Sequence, residues 1–204
     1  MSIRGDKLGM VIAAILAYGA AFAPFATVRA NRIVPGEGRA ILEALPGWTG
    51  ILLLSIIAAA GLIALFRTPP LARLGAAAAA LVALTVLVGI AALHLTPADS
   101  PYARVSPASG FWLLLFAFAL LAADALTRLR LSPWARIGAL AVVAAGIWLL
   151  LGLGGWDGLS ILKEYASRAG SFWSEAGRHV TLALGSLAAA VIAGIPLGVV
   201  CHRI

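Results

Sequence analysis

Few side chains in this sequence could do chemistry. Asp124 sits near the end of an apolar stretch, four residues before Arg128. On a helix that spacing places both on one face, where a local ion pair is the plain reading and a proton-relay carboxylate the sharper one. His94 and His179 lie at the ends of apolar stretches and His202 just beyond one, and no two have metal-ligand spacing with a carboxylate or cysteine. Cys201 is the sole cysteine and adjoins His202; two adjacent residues make a weak metal site, and a thiol at a membrane edge is the simpler reading. There is no Gly-x-x-x-x-Gly-Lys-Ser/Thr loop for phosphate, no Gly-x-Ser-x-Gly elbow and no paired-carboxylate motif. The expectation is a protein that is not an enzyme and holds no cofactor or metal.

The composition says where such a chain resides. Of 204 residues, 62% are hydrophobic and only 11% charged, against roughly half and a quarter in soluble domains. A chain this small lacks the surface to hide that excess from water. Disorder, collagen and a disulfide scaffold are excluded by sparse charge, the lack of a Gly-X-Y period and the lone cysteine. The net charge is +7, but the 13 Arg and two Lys are scattered between apolar runs. A nucleic-acid binder gathers them into a patch, so no nucleic acid is expected; scattered bases set membrane topology instead.

About 20 apolar residues cross the hydrocarbon core as a helix. Six stretches meet or approach that length: Leu8–Val28, Trp48–Phe66, Leu74–Leu95, Gly110–Leu126, Ile137–Gly155 and Val180–Cys201. The first competes with a signal peptide, because Ala21-Phe22-Ala23 resembles a cleavage site; Pro24 and the length of the run favour a retained span. With the N-terminus in the cytoplasm, the inner segments hold Arg4, Lys7, Arg67, Arg73, Arg128, Arg130, Arg136 and Arg203, with Asp6 and Asp124 as their only acids. The outer segments hold Arg29, Arg32, Arg39, Arg104, Lys163, Arg168 and Arg178 among six acids, Asp99 included. The two short inner loops are basic, and Trp48, Trp112, Trp156 and Trp173 fall near one interface, as an aromatic belt predicts.

Between Leu159 and Arg178, apolar residues recur at three- and four-residue steps with charges opposite. This is an amphipathic helix, lying in the interface or covering a partner, with Gly170 as a possible break. In the last stretch Ser186, Ala190, Gly194 and Gly198 repeat every four residues. They form a seam that lets helix backbones approach closely in lipid. Pro196 lies within the seam and releases the Ile192 carbonyl, favouring a kink. The expected fold class is therefore all-α: a polytopic helical membrane protein of about six transmembrane helices plus one interfacial helix.

Gly194-Ile195-Pro196-Leu197-Gly198, preceded by His179-Val180-Thr181-Leu182 and followed by Arg203, resembles the first core helix of binding-protein-dependent ABC importer permeases. The osmoprotectant branch is the nearest likeness. Asn31 to Arg39, Ser109-Gly110-Phe111-Trp112-Leu113 and Leu159 to Ala166 resemble its Yeh-type subgroup, which carries extra N-terminal spans. The resemblance implies a bacterial inner-membrane subunit that imports quaternary amines such as glycine betaine or choline. Its partners would be an ATP-binding ABC subunit, a periplasmic substrate-binding protein, a second permease subunit, either itself or a paralogue, and the lipid bilayer. Residues 1–158 would hold five spans, 159–178 the periplasmic-side helix, and 179–204 the start of the permease core, ending before the loop that couples to the ATPase. Ser186, Ala190, Gly194, Pro196 and Gly198 would pack and hinge the gate, and Arg203 would anchor its cytoplasmic end. Arg32, Glu37, Arg39, Lys163, Glu164 and Tyr165 are candidates for a partner surface. From the residues alone, the alternative is a non-transport membrane scaffold or assembly protein.

Overall fold

The computed structural model describes residues 5–31, 33–97, 100 and 102–203. Arg4, Arg32 and Asp99 lie outside the described residues, as does the side chain of Arg203. The chain divides into two compact units, Met1–Leu162 and Lys163–Ile204.

The helices of the first unit start and stop where local chemistry dictates. α1 (Lys7–Ala21) is capped by Asp6, whose carboxylate accepts from the amides of Leu8 at 3.1 Å and Gly9 at 3.2 Å. α3 (Thr49–Leu65) follows a single helical turn, α2 (Ile41–Ala44). α4 (Pro70–Leu95) and α6 (Pro133–Gly152) both open on proline, which lacks only an amide the first turn cannot use. α5 (Ser109–Leu129) ends at Arg130, whose φ of 48° is left-handed, a cap conformation that glycine adopts at less cost.

Four of these helices close a ring. α1 packs on α3 and α5, and α4 on α3 and α5, with neighbours antiparallel. Ile12, Leu16, Leu53, Leu84, Leu114, Phe118 and Leu121 fill its interior. Small residues line the contacts, including Ala60, Ala64, Ala77, Ala80 and Ala117, which suits helix packing where lipid supplies no hydrophobic drive between helices. Gly9 is the tightest of them, because a Cβ there would overlap the Ala64 carbonyl. α6 buries none of its residues. The turn after it does pack on the ring: the Trp156 indole donates to the Thr85 carbonyl at 2.8 Å, and the Gly155 carbonyl rests against Gly89.

The chain is mostly helical, as expected, and one end of the ring adds a small sheet. β1 (Ala26–Arg29) lies between β2 (Glu37–Arg39) and β3 (Arg104–Pro107), antiparallel to both. Ala26 faces Arg39 on one side and Pro107 on the other. Leu159 adds a parallel bridge to Val105, and the Ser160 hydroxyl donates to the Val105 carbonyl at 2.8 Å. The first apolar stretch, Leu8–Val28, is thus a helix followed by a strand. Its hydropathy is continuous, but Pro24 ends the helix, and a short apolar run does not distinguish the two states.

Among the described residues four helices are long and apolar enough to cross a membrane: Pro70–Leu95, Ser109–Leu129, Pro133–Gly152 and Ser160–His202. α1 and α3 are apolar but shorter, at 15 and 17 residues. α5 and α6 begin before the apolar stretches Gly110–Leu126 and Ile137–Gly155 and reach 21 and 20 residues.

α7 (Ser160–Arg203) begins in the first unit and forms the second from Lys163 onward. The amphipathic segment and the last apolar stretch are one continuous helix, with Gly170 and Pro196 inside it. An interior glycine costs only about 1 kcal/mol relative to alanine, too little to break a helix of this length.

Candidate functional site

The residues able to act fall into three groups. The first is a buried ionic cluster at the ring end opposite the sheet. Asp6 precedes α1, Arg73 sits in the first turn of α4, and Asp124 and Arg128 lie one turn apart near the end of α5. Arg128 donates to Asp124 at 2.9 Å and to Asp6 at 2.6 Å. The Arg73 side chain is wholly buried. Its Nε forms an ion pair with Asp124 at 2.9 Å, short of hydrogen-bond geometry, and its Nη1 lies 3.5 Å from Asp6. The same Nη1 donates to the carbonyls of Ala64 at 3.3 Å and Phe66 at 3.1 Å, satisfying the end of α3. Two carboxylates and two guanidiniums thus tie together α1, α3, α4 and α5.

Burial would by itself raise the Asp6 carboxyl, but the Arg128 hydrogen bond, the Gly9 amide and the charges of Arg128 and Arg73 outweigh it. The group is held below its ordinary 3.8. A depressed carboxyl stabilises the fold above the unfolded value and loses that contribution as pH falls through the folded one. Thermal unfolding in detergent should therefore show little change between pH 7 and 5 and a decline below about pH 4. Asp6→Asn should start lower and decline less; parallel acid curves for the two proteins would rule out this role.

The expected Asp124–Arg128 pair is present. Arg73, expected in a short basic inner loop, lies instead in the first turn of α4 with its side chain buried. The available signal was that Asp6 and Asp124 are the only acids among eight bases of the inner segments. An acid that near an apolar stretch needs a buried partner.

The second group is the sheet end. Glu37 and Arg39 share β2 and pair at 2.7 Å, both exposed, a contact worth at most about 1 kcal/mol. Beside them Ala30, Asn31, Ile33, Ser100, Tyr102 and Arg104 line an open cavity of about 600 Å³.

The third group is on α7. Tyr165 accepts a hydrogen bond from the Trp173 indole at 2.8 Å and packs edge-on against Phe172. Lys163 and Glu164 immediately precede it. Ser186, Ala190, Gly194, Pro196 and Gly198 are exposed along the same helix, and a Cβ added at Gly194 or Gly198 would meet open space. The structure therefore joins Glu37 to Arg39 within the first unit, and Tyr165 to Trp173 and Phe172 within the second. Among the described residues no three of His, Cys, Asp and Glu are grouped to hold a metal.

Residues 6–162 match the family model described as ABC transporter permease YehY, N-terminal domain. No curated protein and no solved structure matches the chain. The matched range contains the whole ring, the sheet and α6. Over most of its length this chain therefore belongs to the family of N-terminal domains of YehY-type ABC transporter permeases, multi-pass membrane transport subunits that work with an ATP-binding partner.

Proposed function

We propose that the chain is the N-terminal part of a permease that imports quaternary-amine osmoprotectants such as glycine betaine or choline. The observation that carries this reading is the fate of the two acids at the helix ends. Asp6 and Asp124 are both committed to Arg73 and Arg128, so neither is available as an ion- or proton-coupling carboxylate. In this reading the energy comes from ATP hydrolysed on a separate subunit. A permanently cationic substrate is released only from a path that does not hold it tightly, and the dearth of ionisable groups in the helices suits that demand.

In this reading the chain sits in the bacterial inner membrane with its N-terminus cytoplasmic. It spans the bilayer six times through α1, α3, α4, α5, α6 and the distal part of α7. Residues 1–158 form the leading membrane region, 159–178 an interfacial stretch of α7, and 179–204 the start of the transport core. The sheet end then faces the periplasm and offers Glu37 and Arg39 to a substrate-binding protein or a second permease subunit, while Lys163, Glu164 and Tyr165 on α7 are a separate candidate surface; the third residue expected with Glu37 and Arg39, Arg32, lies outside the described residues. Ser186, Ala190, Gly194, Pro196 and Gly198 form the packing seam of the gate, with Arg203 anchoring its cytoplasmic end.

The test is reconstitution of the full-length permease with its ATPase and binding protein in vesicles. Glycine betaine or choline should stimulate ATP hydrolysis and accumulate inside. Gly194→Leu or Gly198→Leu should lower stimulated turnover about tenfold. A Cβ added at either position meets no atom within 4 Å among the described residues, so that loss would report on packing within the assembled complex. Uptake of neither amine would refute the substrate; unchanged turnover in both variants would refute the seam.

A further inference from the structure

The ionic cluster has a consequence for the surface around it. Both acids at that end of the ring are buried, Asp6 at 8% exposure and Asp124 with a 9% exposed side chain. The bases around them remain exposed: Lys7, Arg67, Arg130 and Arg136. None of these four is in an ion pair with a described residue. The contacts beneath them place all four at the same end of the ring. Lys7 adjoins Asp6, which bonds to Arg128 two residues before Arg130. Arg67 adjoins Phe66, whose carbonyl receives Arg73. The Arg136 Nε donates to the Leu131 carbonyl next to Arg130.

Three further features favour a phosphate on a lipid over a soluble acidic partner. The α4 N-terminus, three residues after Arg67, has no side-chain cap; Pro69 and Pro70 lack an N–H, so the Leu71 and Ala72 amides and the positive dipole end are what it offers an anion. Trp134 and Leu71, 80% and 71% exposed, stand at the same end, the amphipathic mixture of a headgroup boundary. Arg130 keeps its side chain at a left-handed position where glycine would cost less.

We propose that this rim is a binding surface for the headgroups of an anionic phospholipid, with Arg67 and the open α4 N-terminus taking the phosphate and Lys7, Arg130 and Arg136 surrounding it. Which leaflet supplies the lipid rests on the orientation proposed above; the binding itself does not.

The chain is placed in nanodiscs of phosphatidylcholine with or without phosphatidylglycerol, and retained lipid is counted by native mass spectrometry. Phosphatidylglycerol should be retained at least tenfold over phosphatidylcholine, since each surface cation contributes about fivefold. The triple variant Arg67→Gln/Arg130→Gln/Arg136→Gln should lose that preference, and Arg29→Gln at the opposite end should keep it. Arg130→Gly guards against a folding defect: its melting temperature in phosphatidylcholine should equal or exceed the parent's, while its phosphatidylglycerol retention falls. Equal retention of the two lipids would overturn the proposal, as would a triple variant that keeps the preference. Displacement of phosphatidylglycerol by millimolar inorganic phosphate would assign the rim to a free anion and overturn the lipid.

Discussion

Arg73→Met should destabilise the protein by about 3–5 kcal/mol, the cost of removing one partner from a buried ionic group. The Arg73 side chain has no exposure, and Asp124, 9% exposed, would keep only Arg128. The carbonyls of Ala64 and Phe66 would also lose their donor at the end of α3. Arg128→Ala should cost less, because that side chain is 36% exposed and water can replace part of what it gives. Adding Asp124→Asn to Arg73→Met should recover part of the loss, since the stranded charge disappears with it. Thermal unfolding in detergent, compared across the three variants, reads all of this. A loss under about 1 kcal/mol for Arg73→Met would show that the cluster does not hold the ring. Asp124→Asn alone should lower stability without abolishing transport by the full-length complex, because both carboxylate oxygens are already committed to arginines.

Gly9→Val should be nearly as damaging for a different reason. The added Cβ would overlap the Ala64 carbonyl, a backbone atom that cannot rotate away. α1 and α3 would have to separate at their closest approach, where the Asp6 amide also donates to the Leu65 carbonyl at 3.0 Å. Overpacking costs about 1–3 kcal/mol, and the upper part of that range applies where the obstacle is main chain. The control is Gly61→Val on α3, where a Cβ meets nothing within 4 Å; it should be neutral or gain a few tenths of a kcal/mol, about the margin by which valine exceeds glycine in helix propensity. Similar melting temperatures for Gly9→Val and Gly61→Val would refute the close approach.

The amino-acid sequence alone determined that lipid solvates this chain, where its apolar stretches lie, and that Asp124 and Arg128 pair. Each follows from neighbours within a few residues, which composition and a period of 3.6 report directly. It also carried the permease family, through short segments spread along its length. Only the tertiary structure decided that Leu8–Val28 splits into a helix and a strand, that β1 pairs with chain from two separate loops, and that four helices close a ring. It alone brought Asp6 to Arg128 across 122 residues and buried Arg73 between two acids. Pairings at such separation leave no periodicity in the chain; they are fixed by which helices pack together, and by the cost of leaving a charge there without its partner.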